Sequence, residues 1–336
     1  VFNQELYDLP VQVKIDNLLA LEKKAYSLDS RVSEVEVGYS ESTDERKLSN
    51  CKGLSLKSKS NYFYYFISVV ARSNEQVKSN FEILLGNKPD ELNVDAFAAK
   101  AVKNCVSQFN GQQCESKAYN VILKQSVAAS LVYFAVGSLS AEEIQKKSSY
   151  YIGKLNQKVA SSKLTIIDKP LAKNLFFTGF DDEGVATYNK DLIKKGVLKT
   201  YLYNLETAQK DGVSSTANGQ SVGSKIGIGT FFVEVKPGKL SFDQILQKVG
   251  KDGVYITDVA GLGTGINEQS GDFSLQASGY MIKDGKLAEP LTLITLSGNL
   301  FKLLADIKEV GSDSEIQYTG VSSPSLLISK LTVSGK

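Results

Sequence analysis

Apolar positions along the first hundred residues switch between helical and strand spacing. Residues 14–29 carry Ile15, Leu18, Leu19 and Tyr26 at intervals that predict a helix with these side chains inward. Residues 32–39 alternate loosely, and residues 53–60 are polar on both faces. Residues 61–71 hold Tyr62, Phe63, Tyr64, Tyr65, Phe66, Ile67, Val69 and Val70. So many aromatic and β-branched side chains predict a strand packed on both faces. An aromatic platform for bases or peptide is the alternative. Asn93 is a predicted N-cap. After it, Val94, Phe97, Ala98, Ala101, Val102, Cys105, Val106 and Phe109 form the i, i+3, i+4, i+7 stripe of an amphipathic helix. Cys105 lies on that stripe and reads as a small core residue.

Polar residues 110–116 are the best boundary, dividing the chain into 1–115 and 116–336. Beyond it the pattern predicts a strand at 118–123, an apolar helix at 126–138, a polar helix or turn at 141–155, and a strand at 164–168 stopped by Pro170. From residue 180 the chain becomes β-rich. Residues 192–198 predict a hairpin turning at Lys195-Gly196, and residues 280–287 another turning at Asp284-Gly285. Two short helices interrupt. One spans 241–249, with a Ser241/Gln244 capping box, and the other spans 299–307. The fold class is therefore α+β: a mixed β-sheet N-terminal part followed by a β-rich C-terminal domain with short helices.

Composition narrows the chemistry. Net charge is +2, with 39 basic and 37 acidic residues interspersed, so the electrostatic footprint of a nucleic-acid binder is missing. The longest apolar run, 127–137, is too short to span a bilayer. Cys51, Cys105 and Cys114 are odd in number and show no paired spacing, which suits free thiols in a reducing, cytoplasmic setting. The start, Val1-Phe2-Asn3-Gln4-Glu5, has neither an initiator Met nor a signal-peptide pattern. An upstream segment is expected before it. Histidine is absent. That removes Ser-His-Asp and Cys-His catalysis and every His-bearing zinc site. A Ser-Lys nucleophile or a carboxylate-bound Mg²⁺ or Ca²⁺ stays open.

Gly261-Leu262-Gly263-Thr264-Gly265 and Gly227-Ile228-Gly229 lack the context of a dinucleotide fingerprint. They read as turns or close backbone approaches. Asp181, Asp182 and Glu183, followed by Gly184, could hold a hard cation, cap a turn or pair with Lys. Asp272, between Gly271 and Phe273, either accepts backbone N–H bonds in a turn or faces a cleft.

These segments also carry a family likeness. Phe180-Asp181-Asp182-Glu183-Gly184-Val185, the run Leu192 to Leu198 with Tyr201-Leu202-Tyr203, and Ser215-Thr216-Ala217-Asn218-Gly219 come in order. Ser270-Gly271-Asp272-Phe273-Ser274 with Ala277-Ser278-Gly279-Tyr280, then Ile294-Thr295-Leu296-Ser297-Gly298-Asn299-Leu300, follow. Together they resemble the TldD/PmbA peptidase family from about residue 5 to the end, with the family's first portion apparently missing. In the TldD branch the apolar helix carries His-Glu-x-x-x-His. The matching positions here are Tyr133, Phe134 and Ser138, and no Cys follows Cys114 to stand for that branch's later ligand. The resemblance is therefore to the PmbA/TldE branch.

What the resemblance implies is a chain with no catalytic residues and no metal ligands of its own. Tyr133, Phe134 and Ser138 would be a degenerate metal motif, either plain core helix or the remnant of a cleft. Asp181, Asp182, Glu183, Gly184, Gly271, Asp272 and Phe273 are the candidate substrate or cleft residues. The implied partner is a TldD-like metallopeptidase subunit, which alone would hold the zinc, and the implied substrates are unfolded peptides. A homodimer is the expected form in isolation, with no nucleic acid and no membrane as partner. Two alternatives stay open: a stand-alone hydrolase with a non-His metal at Asp181, Asp182, Glu183 or Asp272, and a regulatory binding protein of DNA gyrase, as an older family name suggests.

Overall fold

The aromatic run at 61–71 forms part of a longer strand, Ser55–Ser73. It pairs antiparallel with Val32–Ser49 on one side and Gln76–Gly86 on the other. The computed structural model describes residues 1–336. Along the central strand Asn61, Phe63, Tyr65, Ile67, Val69 and Ala71 are buried, whereas Tyr62, Tyr64, Phe66, Ser68 and Val70 are half-buried. The strand is thus fully packed on one face, not two, because helices Val11–Leu28 and Val94–Val106 contribute core residues to that face alone. On the other face Phe66 stacks on Phe81 with centroids 5.8 Å apart. Its ring fills the space above Gly38, where a Cβ would stand 2.1 Å from it.

The first long helix starts at Val11, and its inward stripe differs from the one its apolar residues predict. Lys14, Leu21 and Ala25 are buried and Leu18 packs against the core. Ile15, Leu19 and Tyr26 are exposed by 43%, 57% and 43%. The stripe is rotated by one residue because Lys14 occupies a core-facing position, its ammonium 2.7 Å from the Glu41 carboxylate. An ion pair hides a polar residue inside an apolar stripe. Val94–Val106 follows its pattern: the Asn93 side chain accepts from the Ala96 N–H at 2.9 Å, and Phe97, Ala98, Ala101, Val102 and Cys105 are buried. Val1–Gly111, with Lys173–Leu175, forms this unit.

The second unit comprises Gln112–Ala172 and Phe176–Lys336. Its largest element is a closed barrel. Strands Lys286–Asn299, Asp272–Lys283, Asp252–Ala260, Lys117–Leu123 and Leu326–Ser334 pair in that order, and the last pairs back with the first through Leu296 and Val333. Only Lys117–Leu123 and Asp252–Ala260 run parallel to each other. Val121 and Leu123 enter the main core, while Ile122, between them, joins Ile245, Leu246 and Val249 in a smaller cluster beside helix Phe242–Lys248. Burial on both faces explains the unbroken apolar run. Helix Gln125–Gly137 buries Val127, Ala128, Ala129, Leu131, Val132, Ala135 and Val136.

A second sheet runs Glu315–Ile316, Val321–Ser323, Val233–Val235, Ile166–Asp168, Lys190–Lys194 and Val197–Leu198. Both predicted hairpin turns form. Lys195 and Gly196 have φ of 47° and 80°, and Asp284 and Gly285 have φ of 48° and 72°. Positive φ at both central residues gives the turn whose twist matches the flanking strands. The Ser241/Gln244 capping box is present. The predicted helix or turn at 141–155 is helical only over Ala141–Gln145.

Candidate functional site

Asp181 has no exposed surface. Its Oδ1 accepts the backbone N–H groups of Glu183 at 3.0 Å and Val185 at 2.9 Å, and its Oδ2 accepts the Gly219 N–H at 3.0 Å. Gly184 completes this tight turn with φ of 82°. Asp182 accepts the Ser221 N–H at 2.6 Å. Glu183 accepts the Leu205 N–H at 2.7 Å, at the first residue of helix Leu205–Asp211. The Glu183 carboxylate lies against Gly219, where a Cβ would meet its Oε2 at 2.7 Å. Burial raises the Glu183 pKa above its ordinary value; the Leu205 N–H opposes this, and the charges of Asp181 and Glu206 add to it. The three carboxylates therefore staple one turn to strand Gly219–Val222 and to a helix start. They do not converge on a cation, and no three His, Cys, Asp or Glu side chains anywhere in the chain do so.

Next to this turn lies a cluster that sequence reading missed. Asp168 ends its strand before Pro170, and its Oδ2 accepts from Lys190 Nζ at 3.0 Å and from Asn218 Nδ2 at 2.9 Å. Asn218 Nδ2 also donates to the Gly229 carbonyl at 2.8 Å. All three side chains are buried. Their positions are 50 residues apart from first to last, so no local spacing announces them. The only available signal was that Asn218 belongs to the Ser215–Gly219 motif.

The Gly271/Asp272 segment forms a second, separate unit. Asn267 Oδ1 accepts from the Gln269 and Ser270 N–H groups, both at 3.0 Å. Asn299, from the last motif, donates to the Ser270 carbonyl at 2.8 Å and to Asp272 Oδ1 at 2.9 Å. Its own Oδ1 accepts the N–H groups of Phe301 and Lys302, capping helix Leu300–Ala305. Gly271 has φ of 80°, and a Cβ there would meet the Phe301 ring at 2.5 Å. On Phe301 lies Tyr150, stacked 3.9 Å away at 5°, with Lys154 Nζ over its outer face at 2.9 Å. Asp272 is exposed; the hydrogen bond from Asn299, then that from Ser270, lowers its pKa. Phe273 is buried in the main core. Six of the seven sequence-nominated residues thus hold turns or the core, and among the seven Asp272 alone is exposed.

On helix Gln125–Gly137, Tyr133 is 49% exposed and meets Phe134 edge-on at 5.8 Å, while Phe134 packs against the main core. Ser138 is the C-cap. Its hydroxyl faces the Phe134 carbonyl at 3.5 Å, and its carbonyl accepts from Ser149 Oγ at 2.6 Å. A phenol, a phenyl ring and a capping hydroxyl offer no imidazole, thiolate or carboxylate donor. These residues do not fit a zinc ion.

Comparison with known proteins agrees with this architecture. The PmbA/TldA metallopeptidase central-domain family model matches residues 4–109, and the C-terminal-domain model matches residues 116–335. The metalloprotease PmbA homolog of Buchnera aphidicola subsp. Acyrthosiphon pisum is 26% identical over 333 residues, covering 97% of this chain and 72% of its own length. Among solved structures, a Thermotoga maritima protein described as a proposed modulator of a DNA gyrase superposes with a TM-score of 0.93. It is 33% identical, and the match covers 99% of this chain and 76% of that one. TldE from Thermococcus kodakarensis superposes with a TM-score of 0.90 at 24% identity, covering 100% of this chain and 77% of that one. At that identity the likeness is one of fold.

Proposed function

Because the chain belongs to the PmbA/TldA metallopeptidase family, we propose that it is the zinc-free member of a two-chain peptidase. It pairs with a zinc-bearing, TldD-like subunit and helps that subunit process or degrade unfolded peptides. One observation carries this reading. The helix positions that resemble the zinc motif hold Tyr133, Phe134 and Ser138, and the chain contains no histidine with which to replace them. A phenyl ring at Phe134 cannot take a proton from a metal-bound water, which is the task of the glutamate in such motifs.

The other carboxylate groups support the same reading. Asp181, Asp182 and Glu183 spend their oxygens on backbone N–H groups rather than on a shared centre. The contribution to a peptidase would be structural: completing the partner's chamber or holding extended peptide by backbone hydrogen bonds. To test this, the purified chain is mixed with a TldD-like subunit and an unfolded peptide. The expected result is co-elution of the two chains and faster cleavage than with the partner alone. Separate elution, with cleavage no faster than that of the partner, would sink the proposal.

A further inference from the structure

Two oxygens in the second unit are buried without a hydrogen-bond partner: Asp168 Oδ1 and Asn218 Oδ1. Both residues have no exposed surface. Buried acceptors are nearly always satisfied, so two in one cluster require an explanation. The other atoms of the cluster are already committed. Asp168 Oδ2 accepts from Lys190 Nζ and from Asn218 Nδ2, and Asn218 Nδ2 gives its second hydrogen to the Gly229 carbonyl. The Asn218 amide cannot be turned over to relieve the problem, because both groups facing Nδ2 are acceptors. The amide and the carboxylate are joined through Nδ2 and Oδ2, which ties both unpartnered oxygens to one hydrogen-bonded cluster. Two buried acceptors in one cluster call for a small molecule with donor hydrogens.

The geometry points to a buried water-binding site in which a single water donates one hydrogen to Asp168 Oδ1 and the other to Asn218 Oδ1. A metal cation suits the place poorly. The Lys190 ammonium, 3.0 Å from Asp168 Oδ2, already answers the carboxylate charge and would repel a second cation. Two oxygens also fall well short of the coordination that Ca²⁺ or Mg²⁺ takes. A water with polar partners is the usual filler of such a place. With it, strands Ile166–Asp168 and Lys190–Lys194 and both ends of hairpin Gly219–Ile228 join in one network. Asn218 also receives the Gly229 N–H on its own carbonyl at 3.0 Å. The site thereby anchors the hairpin whose Gly219 N–H serves Asp181.

A crystal structure of the full chain at atomic resolution tests this, alongside a thallium soak and ¹⁷O relaxation dispersion on the protein in solution. The expected result is one density peak bonded to both oxygens, unreplaced by thallium, and this water among the protein's long-lived ones. The double variant Asp168→Asn/Lys190→Met puts an uncharged amide opposite Asn218, so that the two side chains can satisfy each other. It should fold, as judged by its far-UV spectrum, and lose that peak and that long-lived water. A wild-type crystal with no peak, a peak that takes up thallium, or a peak unchanged in the folded double variant would each overturn the proposal. The wild-type crystal decides even if the variant does not fold.

Discussion

Lys190 Nζ lies 3.0 Å from Asp168 Oδ2, and the two side chains are only 5% and 0% exposed. A charge buried this deeply is tolerable only while its partner stays. The relationship joins adjacent strands of the second sheet at the base of the loop that carries Asn218.

Removing one partner should cost more than removing both. Lys190→Met alone leaves the Asp168 carboxylate buried and unpaired, with an expected loss of about 3–5 kcal/mol. The double variant Asp168→Asn/Lys190→Met should lose markedly less. Urea unfolding of the wild type, the two single variants and the double variant measures the coupling. Additive losses would show that the pair is not energetically linked.

Gly271 and Gly137 should respond to alanine in opposite directions. Gly271 has φ of 80°, and its Cβ would stand 2.5 Å from the Phe301 ring. Gly271→Ala should therefore destabilise by at least about 1–2 kcal/mol, from the left-handed backbone alone. At Gly137, the last residue of its helix, a Cβ would meet nothing within 4 Å. Gly137→Ala should stabilise by about 0.4–1 kcal/mol. Thermal melts of the two variants make the comparison.

Asn299 does two tasks with one amide: it caps helix Leu300–Ala305 and ties down the Ser270–Asp272 turn. Asn299→Ala should cost about 1–2 kcal/mol from the cap alone. Asn299→Asp should keep the cap but put a second carboxylate against Asp272. Its stability should therefore approach that of the wild type only at acid pH, as followed by chemical denaturation across a pH series.

Two carboxylates should bend the pH–stability curve in opposite ways. The Asp272 pKa is lowered in the fold, so its contribution is fully present above its ordinary value of 3.8 and is lost as pH falls below that. The Glu183 pKa is raised, so its contribution is fully present below its ordinary value of 4.5 and is lost as pH rises through the folded value. Glu183→Gln should therefore flatten the curve above 4.5 and leave the protein more stable at neutral pH than the wild type. Asp272→Asn should flatten it only on the acid side. Denaturation midpoints measured from acid to neutral pH check both signs.

Local pattern alone located the elements whose cause is local. The Asn93 cap, the Ser241/Gln244 box and the Lys195-Gly196 and Asp284-Gly285 turns all depend on residues at most three or four apart. The stripe from Val94 to Cys105 needed only helical spacing and a core to face. The α+β class rested on the mixture of helical and strand spacings, and the family likeness on the order of the motifs, both of which the chain displays openly.

Where a residue's role depended on a distant partner, the pattern failed. Lys14 takes a core-facing place only because the distant Glu41 supplies its counter-charge, and that one pairing turns the face of helix Val11–Leu28. Asp181 reads equally well as a cation ligand or a turn former, and only the position of the Gly219 N–H decides between them. Asp168, Lys190 and Asn218 carry no mark of each other in the sequence. The sequence by itself determined which chemistry is missing, because an absent imidazole is absent in every conformation. Only the tertiary structure decided which carboxylates are spent and which oxygens remain unpaired, because hydrogen bonds between distant residues exist only once the chain has closed around them.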